Sequence, residues 1–219
     1  MTENISFLTA DSHPCGGLLA RSPSRKAVVV IQEWWGLNEN IRMACERLAQ
    51  AGYTTLAPDL YHGARAQSPQ QAQSLMEQLD FAQAVQEIRA SAQYLKSEGA
   101  ESVAVLGFCL GGALALLTAL QSTEFKSAVC FYGIPPKPAG DLSKIQIPVL
   151  GHFANADDWC TPASVAALES DFSRGHVTAT IHRYDAQHAF ANETRPEVYD
   201  ADSSNLAWRR TFEFLSKTL

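Results

Sequence analysis

Short apolar runs alternate with longer amphipathic segments along most of the chain, and this alternation restricts the fold more than any other feature. Lys26–Gln32 and Ser102–Gly107 are almost continuously apolar, as expected of strands that are buried on both faces. Between them, Asn38–Ala51 repeats apolar side chains at helical spacing and is followed by Gly52, a residue type that commonly ends helices. The pattern predicts an α/β fold with a mainly parallel sheet and helices on both faces.

The rest of the chain continues the alternation. Further strands are predicted at Tyr53–Ala57, Ser127–Tyr132, Val149–Ala154 and Val177–His182, and further helices at Pro69–Lys96, Cys109–Gln121, Pro162–Arg174 and Arg195–Lys217. The longest helical stretch is expected to break near Asp80, and residues 1–25 are expected to form an antiparallel hairpin at the sheet edge, turning near Gly16 and Gly17. With 219 residues and no internal repeat or linker, the sequence predicts one domain over residues 1–219.

Composition and charge exclude several classes of protein. A chain that is 46% hydrophobic and 18% charged is not expected to be disordered. Its 17 basic and 23 acidic residues give a net charge of −6, and without a Lys/Arg cluster it is not expected to bind nucleic acid or an anionic membrane. Small molecules are the expected partners, and a monomer or weak homo-oligomer is the expected assembly.

Cysteine usage and the N-terminal sequence bear on the compartment. The five cysteines include no Cys-x-x-Cys pair, which argues against a disulfide framework and against a zinc site, so no metal is predicted. No signal-peptide pattern is visible at the N-terminus, and no apolar stretch is long enough to span a bilayer. These features predict a cytoplasmic protein.

The most informative motif is Gly107–Gly112 (GFCLGG), which follows a predicted buried strand and precedes a predicted helix. It has the form of a nucleophile elbow, with Cys109 where serine is more common. The strained backbone of such a turn requires small neighbours, and a helix N-terminus favours a negatively charged sulfur. The alternative is a buried cysteine without chemical function, in a strand–helix turn that merely contains glycines.

Candidate partners for this cysteine follow in the chain order that triads on such a scaffold adopt, which is nucleophile, acid, base. Asp157 and Asp158 come after the strand Val149–Ala154, and His188 comes after the last predicted strand. Catalytic groups belong at the carboxyl ends of parallel strands, where all three loops are expected. Taken singly, either aspartate is better explained as a helix cap and the histidine as a surface or core residue. Asp185 is a further candidate for the acid.

At these residues the sequence resembles the dienelactone hydrolase family, a branch of the α/β-hydrolase fold. The resemblance covers nearly the whole chain, and its anchors are Gln32–Gly36, Ala57–Tyr61, Gly107–Gly112 and Gln187–Asn192. It implies that Cys109 is the nucleophile, His188 the base and an aspartate after the intervening strand the acid. Spacing counted from the strand favours Asp157, and spacing counted back from Pro162 favours Asp158; we choose Asp157 because the strand determines where the side chain points.

The resemblance also implies a role for Glu33. In the family the corresponding carboxylate swings toward the cysteine when substrate binds and takes the thiol proton; the alternative is a glutamate that merely faces solvent at a strand end. The backbone N–H groups of Trp34 and Leu110 would form the oxyanion hole. An apolar pocket is expected to be lined by Trp34, Trp35, Tyr61, Phe108 and Tyr132, each of which is equally compatible with an ordinary core position.

One departure from the family pattern concerns substrate. Family members that process carboxylate-bearing lactones hold the carboxylate with arginines, one of them four residues beyond the catalytic histidine, where this chain has Asn192. Arg65 is the one arginine expected to be able to substitute from another direction. Because an unpaired charge in an apolar pocket is strongly penalised, we expect a preference for neutral lactones or aryl esters.

The sequence therefore predicts a hydrolase that cleaves a lactone or small activated ester through a cysteinyl acyl-enzyme, without a cofactor. Two alternatives remain open at this point. One is a different acyl-transfer enzyme, a thioesterase or a cysteine peptidase. The other is a non-catalytic, redox-responsive binding protein that keeps Cys109 as a sensor thiol on a hydrolase scaffold.

Overall fold

The computed structural model describes residues 2–219, and within that range the strands form one eight-stranded sheet in the order β1-β2-β4-β3-β5-β6-β7-β8. The strands are β1 (Thr2–Leu8), β2 (Pro14–Ala20), β3 (Lys26–Ile31), β4 (Thr54–Pro58), β5 (Ser102–Phe108), β6 (Ser127–Phe131), β7 (Val149–Ala156) and β8 (Ala179–Gln187). Every pairing from β4 to β8 is parallel, and β1 and β2 form an antiparallel hairpin at one edge. The predicted α/β fold with a mainly parallel sheet is confirmed.

Six α-helices cover the two faces of the sheet within the described residues. They are α1 (Glu39–Gln50), α2 (Pro69–Gln78), α3 (Phe81–Ser97), α4 (Leu110–Gln121), α5 (Pro162–Arg174) and α6 (Ala201–Thr218), and two short 3-10 turns lie at Lys137–Ala139 and Leu142–Lys144. One apolar core contains side chains of α3, α4 and α5, and the other contains side chains of α1 and α6. Alternate residues of β3 enter opposite cores, as the two-residue period of a strand requires. The predicted break near Asp80 is confirmed, since Asp80 caps α3.

The turn of the N-terminal hairpin was predicted at the wrong place. Gly16 and Gly17 lie inside β2, and the chain reverses at Thr9–His13, where the Thr9 N–H donates to the His13 carbonyl and Ser12 takes a positive φ of 65°. Gly17 instead allows the Leu56 side chain to lie close to the backbone of β2, because a Cβ at Gly17 would lie 2.9 Å from Leu56 Cδ1. Paired glycines occur in turns and also where another group packs closely against a strand, and in this protein the second explanation holds.

Two boundaries near the C-terminus were also wrong. The strand predicted at Val177–His182 runs from Ala179 to Gln187, because β8 is an edge strand whose many exposed polar residues hide its extent. The last helix begins at Ala201, not Arg195, because Asp200 caps it and the residues before it form separate turns. No helix in residues 2–219 combines the length and the apolar character needed to cross a membrane.

Candidate active site

The turn between β5 and α4 holds Cys109 in a strained conformation. Its φ is 54° and its ψ is −115°, values that a residue with a side chain rarely adopts, and its N–H donates to the Phe131 carbonyl at 2.9 Å. Strand and helix cross so closely that a Cβ at Gly107 would lie 1.9 Å from the Gly111 carbonyl oxygen. The glycines of the motif are therefore required by this crossing. Cys109 is also the one cysteine of the five that is not fully buried.

The side chains of Cys109, His188 and Asp157 form a continuous hydrogen-bonded chain at the carboxyl edge of the sheet. His188 Nε2 lies 3.1 Å from Cys109 Sγ, and His188 Nδ1 lies 2.7 Å from Asp157 Oδ2. The alternatives for the acid lie elsewhere: Asp158 is exposed, and Asp185 accepts a hydrogen bond from Asn155. The geometry thus favours Asp157 over both.

The same contacts determine the charge state of the base. Burial by itself lowers the pKa of His188, but its hydrogen bonds to Asp157 and Cys109 outweigh burial and raise the pKa to about 10. Burial raises the pKa of Asp157, whereas the contacts with His188 and two backbone N–H groups lower it, and the balance is a lowered pKa. The arrangement holds a proton on His188 between a carboxylate and a sulfur.

Glu33 follows β3 and is buried rather than facing solvent. Asn192 Nδ2 donates to Glu33 Oε2 at 2.6 Å, and the Tyr132 hydroxyl lies 3.5 Å from Glu33 Oε1. Burial raises the pKa of Glu33 to about 7, against the opposing effect of His188 and these hydrogen bonds. In this conformation the carboxylate bonds to Asn192 and not to Cys109. Asn192 is itself fully buried, so it contacts Glu33 instead of facing a substrate.

The two backbone N–H groups expected in the oxyanion hole lie beside the nucleophile's turn. Leu110 is the first residue of α4, and Trp34 lies in the turn that follows β3. Neither N–H donates to another group within residues 2–219. In this part of the chain both N–H groups therefore lack a protein acceptor, as the donors of an oxyanion hole must.

Two cavities meet at Cys109 and His188. The first, which we call the apolar cavity, has a volume of about 500 Å³ and is lined almost entirely by carbon atoms. The second has a volume of about 260 Å³, and we call it the polar cavity because a larger share of its lining is polar, although carbon atoms predominate there as well. Besides the two catalytic candidates, both cavities share Met76 from α2 and Trp159 from the loop after β7. Trp159 is 64% exposed and packs edge-on against Trp34 at 5.5 Å.

Of the five aromatic residues predicted to line an apolar pocket, two line a cavity beside Cys109, and only Tyr132 lines the apolar one. Trp34 lines the polar cavity and Tyr132 the apolar one, whereas Trp35, Tyr61 and Phe108 line neither. Phe108 points to the other face of the sheet, because successive strand residues alternate, and it packs against Phe131 and Trp208.

Arg195 lines the polar cavity and was missed by sequence reasoning. Its Nε donates to Glu197 at 2.7 Å, and its guanidinium lies 5.5 Å from the centre of the Trp35 ring. No motif marks it, because it lies in an irregular turn that the sequence pattern assigns to a helix. Arg65, the arginine that sequence reasoning singled out, is exposed and lines neither cavity. Within residues 2–219, no cluster of three or more His, Cys, Asp or Glu side chains is arranged to hold a metal ion.

The chain is similar in sequence to known proteins over most of its length. The sequence model described as the dienelactone hydrolase family matches residues 16–219. Protein usf of Aquifex pyrophilus is 33% identical over 205 residues that cover 88% of each chain. A protein of Aquifex aeolicus, provisionally named a carboxymethylenebutenolidase, is 31% identical with the same coverage.

Solved structures share the fold over the full length. A dienelactone hydrolase-like promiscuous phosphotriesterase from metagenomic libraries has a TM-score of 0.86 at 26% identity, covering 100% of this chain and 98% of the other. An esterase of Pyrococcus furiosus has a TM-score of 0.75 at 17% identity, covering 100% of this chain and 93% of the other. The second likeness concerns the fold alone.

Proposed function

The chain belongs to the dienelactone hydrolase family, and from this premise we propose that it cleaves a lactone or small activated ester through a cysteinyl acyl-enzyme. Membership makes the protein a carboxylic ester hydrolase. The observation that most supports a cysteine mechanism is the hydrogen-bonded chain from Cys109 Sγ through His188 to Asp157. A sensor thiol needs no such chain, so the geometry speaks against a redox-responsive binding protein.

In the proposed first half-reaction, Cys109 Sγ attacks the carbonyl carbon while its proton resides on His188 Nε2. The negative charge that develops on the carbonyl oxygen is bound by the N–H groups of Leu110 and Trp34. When the carbon–oxygen bond to the leaving group breaks, His188 delivers the proton to the leaving oxygen. The products are a thioester on Cys109 and an alcohol, which in a lactone stays attached through the acyl chain.

In the second half-reaction, the now neutral His188 accepts a proton from water, and the water oxygen attacks the thioester carbon. The carbon–sulfur bond breaks, the proton returns from His188 to the sulfur, and the carboxylic acid is released. Asp157 keeps the histidine in the tautomer whose Nε2 faces Cys109. Glu33 would need to leave Asn192 before it could take a proton from Cys109, as the family resemblance implies.

The decisive experiment measures a burst of chromogenic alcohol from an activated aryl ester. We expect one equivalent per active site in the wild type, and neither burst nor turnover in Cys109→Ala. Iodoacetamide should alkylate Cys109 before the other four cysteines, which are buried, and should abolish turnover in parallel. Cys130→Ala is the matched control, because Cys130 Sγ bonds only to the Gly133 carbonyl. Full activity in Cys109→Ala would refute the mechanism.

A further inference from the structure

The two cavities beside Cys109 differ in chemistry. The polar cavity contains the charged side chains of Arg195 and Asp158. The apolar cavity is lined by Phe81, Leu110, Ala113 and Ile134 among others, and apart from the catalytic candidate His188 its one charged residue is the exposed Glu77. A reacting ester has two ends, and each end must occupy a different side of the nucleophile.

The polar side chains of the apolar cavity have partners inside the protein. Cys160 Sγ donates to the Tyr132 carbonyl at 3.2 Å, and the Tyr132 hydroxyl is directed toward Glu33. Glu77 accepts a hydrogen bond from Gln73 on its own helix. A ligand in this cavity is therefore offered carbon surface and few free hydrogen-bonding groups, which favours a hydrocarbon group.

The chemistry of acyl transfer determines which end of the ester this is. The acyl carbon becomes bonded to Cys109 Sγ, and the leaving oxygen must lie next to His188 Nε2, from which it takes a proton. The polar cavity includes three residues that adjoin or follow His188 and that do not line the apolar cavity, namely Gln187, Arg195 and Val198. The apolar cavity includes residues of α4, which begins directly after the nucleophile, and of the segment after β6, and none of these lines the polar cavity.

We propose that the apolar cavity is an acyl-binding site for a saturated hydrocarbon chain, and that the leaving group occupies the polar cavity. This assignment rests on the proposed function and adds the substrate class, which is an ester of a medium-chain carboxylic acid with a polar alcohol. The cavity's volume of about 500 Å³ lies in the range of small-molecule sites. Each methylene that becomes fully buried adds a factor of about four to binding, so chain length should raise kcat/KM.

Ile134 is the residue that tests the assignment most directly. It is half-buried in the wall of the apolar cavity and contacts neither Cys109 nor His188 through a hydrogen bond, so Ile134→Trp should shorten the cavity without disturbing the triad. Val198 is the matched control, because it is also half-buried and lines only the polar cavity of the two that meet at the nucleophile. Ile134→Ala, which enlarges the cavity, covers the case in which the tryptophan variant does not fold.

The experiment measures kcat/KM for the p-nitrophenyl esters of acetate, butanoate, hexanoate and octanoate. In the wild type we expect hexanoate to exceed acetate by at least about tenfold, since the cavity is partly open and the methylenes are only partly buried. Ile134→Trp should remove this rise, Ile134→Ala should move the optimum toward octanoate, and Val198→Trp should keep the rise with chain length. Thermal melting of each variant verifies its folding.

Two results would overturn the assignment while leaving the proposed function intact. One is efficient, Cys109-dependent cleavage of the acetate ester without any gain on chain extension. The other is a loss of chain-length preference in Val198→Trp instead of Ile134→Trp. Absence of any cleavage by the wild type would refute the proposed function, and the acyl-site assignment with it.

Discussion

Both carboxylate oxygens of Asp157 accept hydrogen bonds, and each accepts them from a different part of the protein. Oδ2 accepts from His188 Nδ1, and Oδ1 accepts the backbone N–H groups of Trp159 at 2.7 Å and Cys160 at 2.8 Å. The backbone contacts fix the carboxylate so that it can orient the imidazole. Asp158, its neighbour, is exposed at the wall of the polar cavity.

Asp157→Asn should therefore lower kcat by a factor on the order of 10³–10⁴, because the amide favours the wrong histidine tautomer. Asp158→Asn is the matched control and should change kcat by less than about threefold, since its charge is solvated. Steady-state kinetics on an aryl ester measures both. If Asp158→Asn gave the large loss, the acid would have to be reassigned.

Glu33 makes stability depend on pH. Burial raises its pKa from 4.5 to about 7, so the folded protein binds this proton more tightly than the unfolded chain does. The resulting stabilisation is fully present below pH 4.5 and is lost as the pH rises through 7. Glu33→Gln has no such titration.

From pH 4.5 to about pH 8, the free energy of unfolding of the wild type should fall relative to Glu33→Gln by up to about 3 kcal/mol. Urea unfolding at several pH values measures this difference. Groups that titrate in both proteins change both free energies of unfolding equally, so their effects cancel from the difference. Glu77→Gln, which removes an exposed carboxylate, is the matched control for the substitution itself. A flat difference for Glu33→Gln would show that the carboxylate is not held in a buried site.

At the scale of elements, the crossing of β5 and α4 determines whether the nucleophile is presented at all. Helix α4 approaches the sheet so closely that a Cβ at Gly111 would lie 2.4 Å from the Ile31 carbonyl oxygen of β3. These contacts are with backbone atoms, which cannot rotate away. The close crossing consequently fixes the start of α4, and with it the backbone turn that carries Cys109.

Gly107→Ala should destabilise the protein by at least about 3 kcal/mol, or prevent folding, because its Cβ would overlap the Gly111 carbonyl. Gly16→Ala is the matched control: this glycine lies in β2, and a Cβ there meets nothing within 4 Å. Its stability should be unchanged or slightly higher. Soluble yield and thermal melting compare the two, and a wild-type melting temperature for Gly107→Ala would contradict the geometry of the crossing.

The whole molecule carries a net charge of −6. The opposite charges of Arg195 and Asp158 in the polar cavity cancel and do not offset this net charge. Arg195 is paired with Glu197, and Asp158 lines the same cavity. The expectation that neutral esters are preferred stays a prediction, but its reason changes: a cation is present near the site and is already paired. The prediction of one domain over residues 1–219 likewise stays a prediction.

For a carboxylate-bearing ester, kcat/KM should be lower than for a neutral ester of the same size, and it should rise with salt because repulsion by the acidic protein is screened. The neutral ester should show little salt dependence. Glu197→Gln should favour the anionic ester by a few-fold, because Arg195 loses its partner. A wild type that prefers the anionic ester at low salt would reverse this account and identify Arg195 as its binding group.

Local sequence carries the information for most elements and for the catalytic candidates. Buried strands such as β3 and β5 are continuous apolar runs, and the elbow is a six-residue motif whose glycines are required by a local crossing. Asp157 and His188 could be proposed because chain order places their loops at the carboxyl ends of parallel strands. The strand β8 was predicted with the wrong bounds, and α6 with the wrong start, because no apolar period marks either boundary.

Only the tertiary structure decided which side chains meet. Asn192 and Glu33 are 159 residues apart and nevertheless share a hydrogen bond, and Arg195 reaches the cavity from an irregular turn. Hydrophobic periodicity encodes which face of an element is buried, but not which residue of another element lies opposite. The choice between Asp157 and Asp158, and the division into an apolar and a polar cavity, depend on distances of a few ångströms, which only packing of the whole sheet and its helices determines.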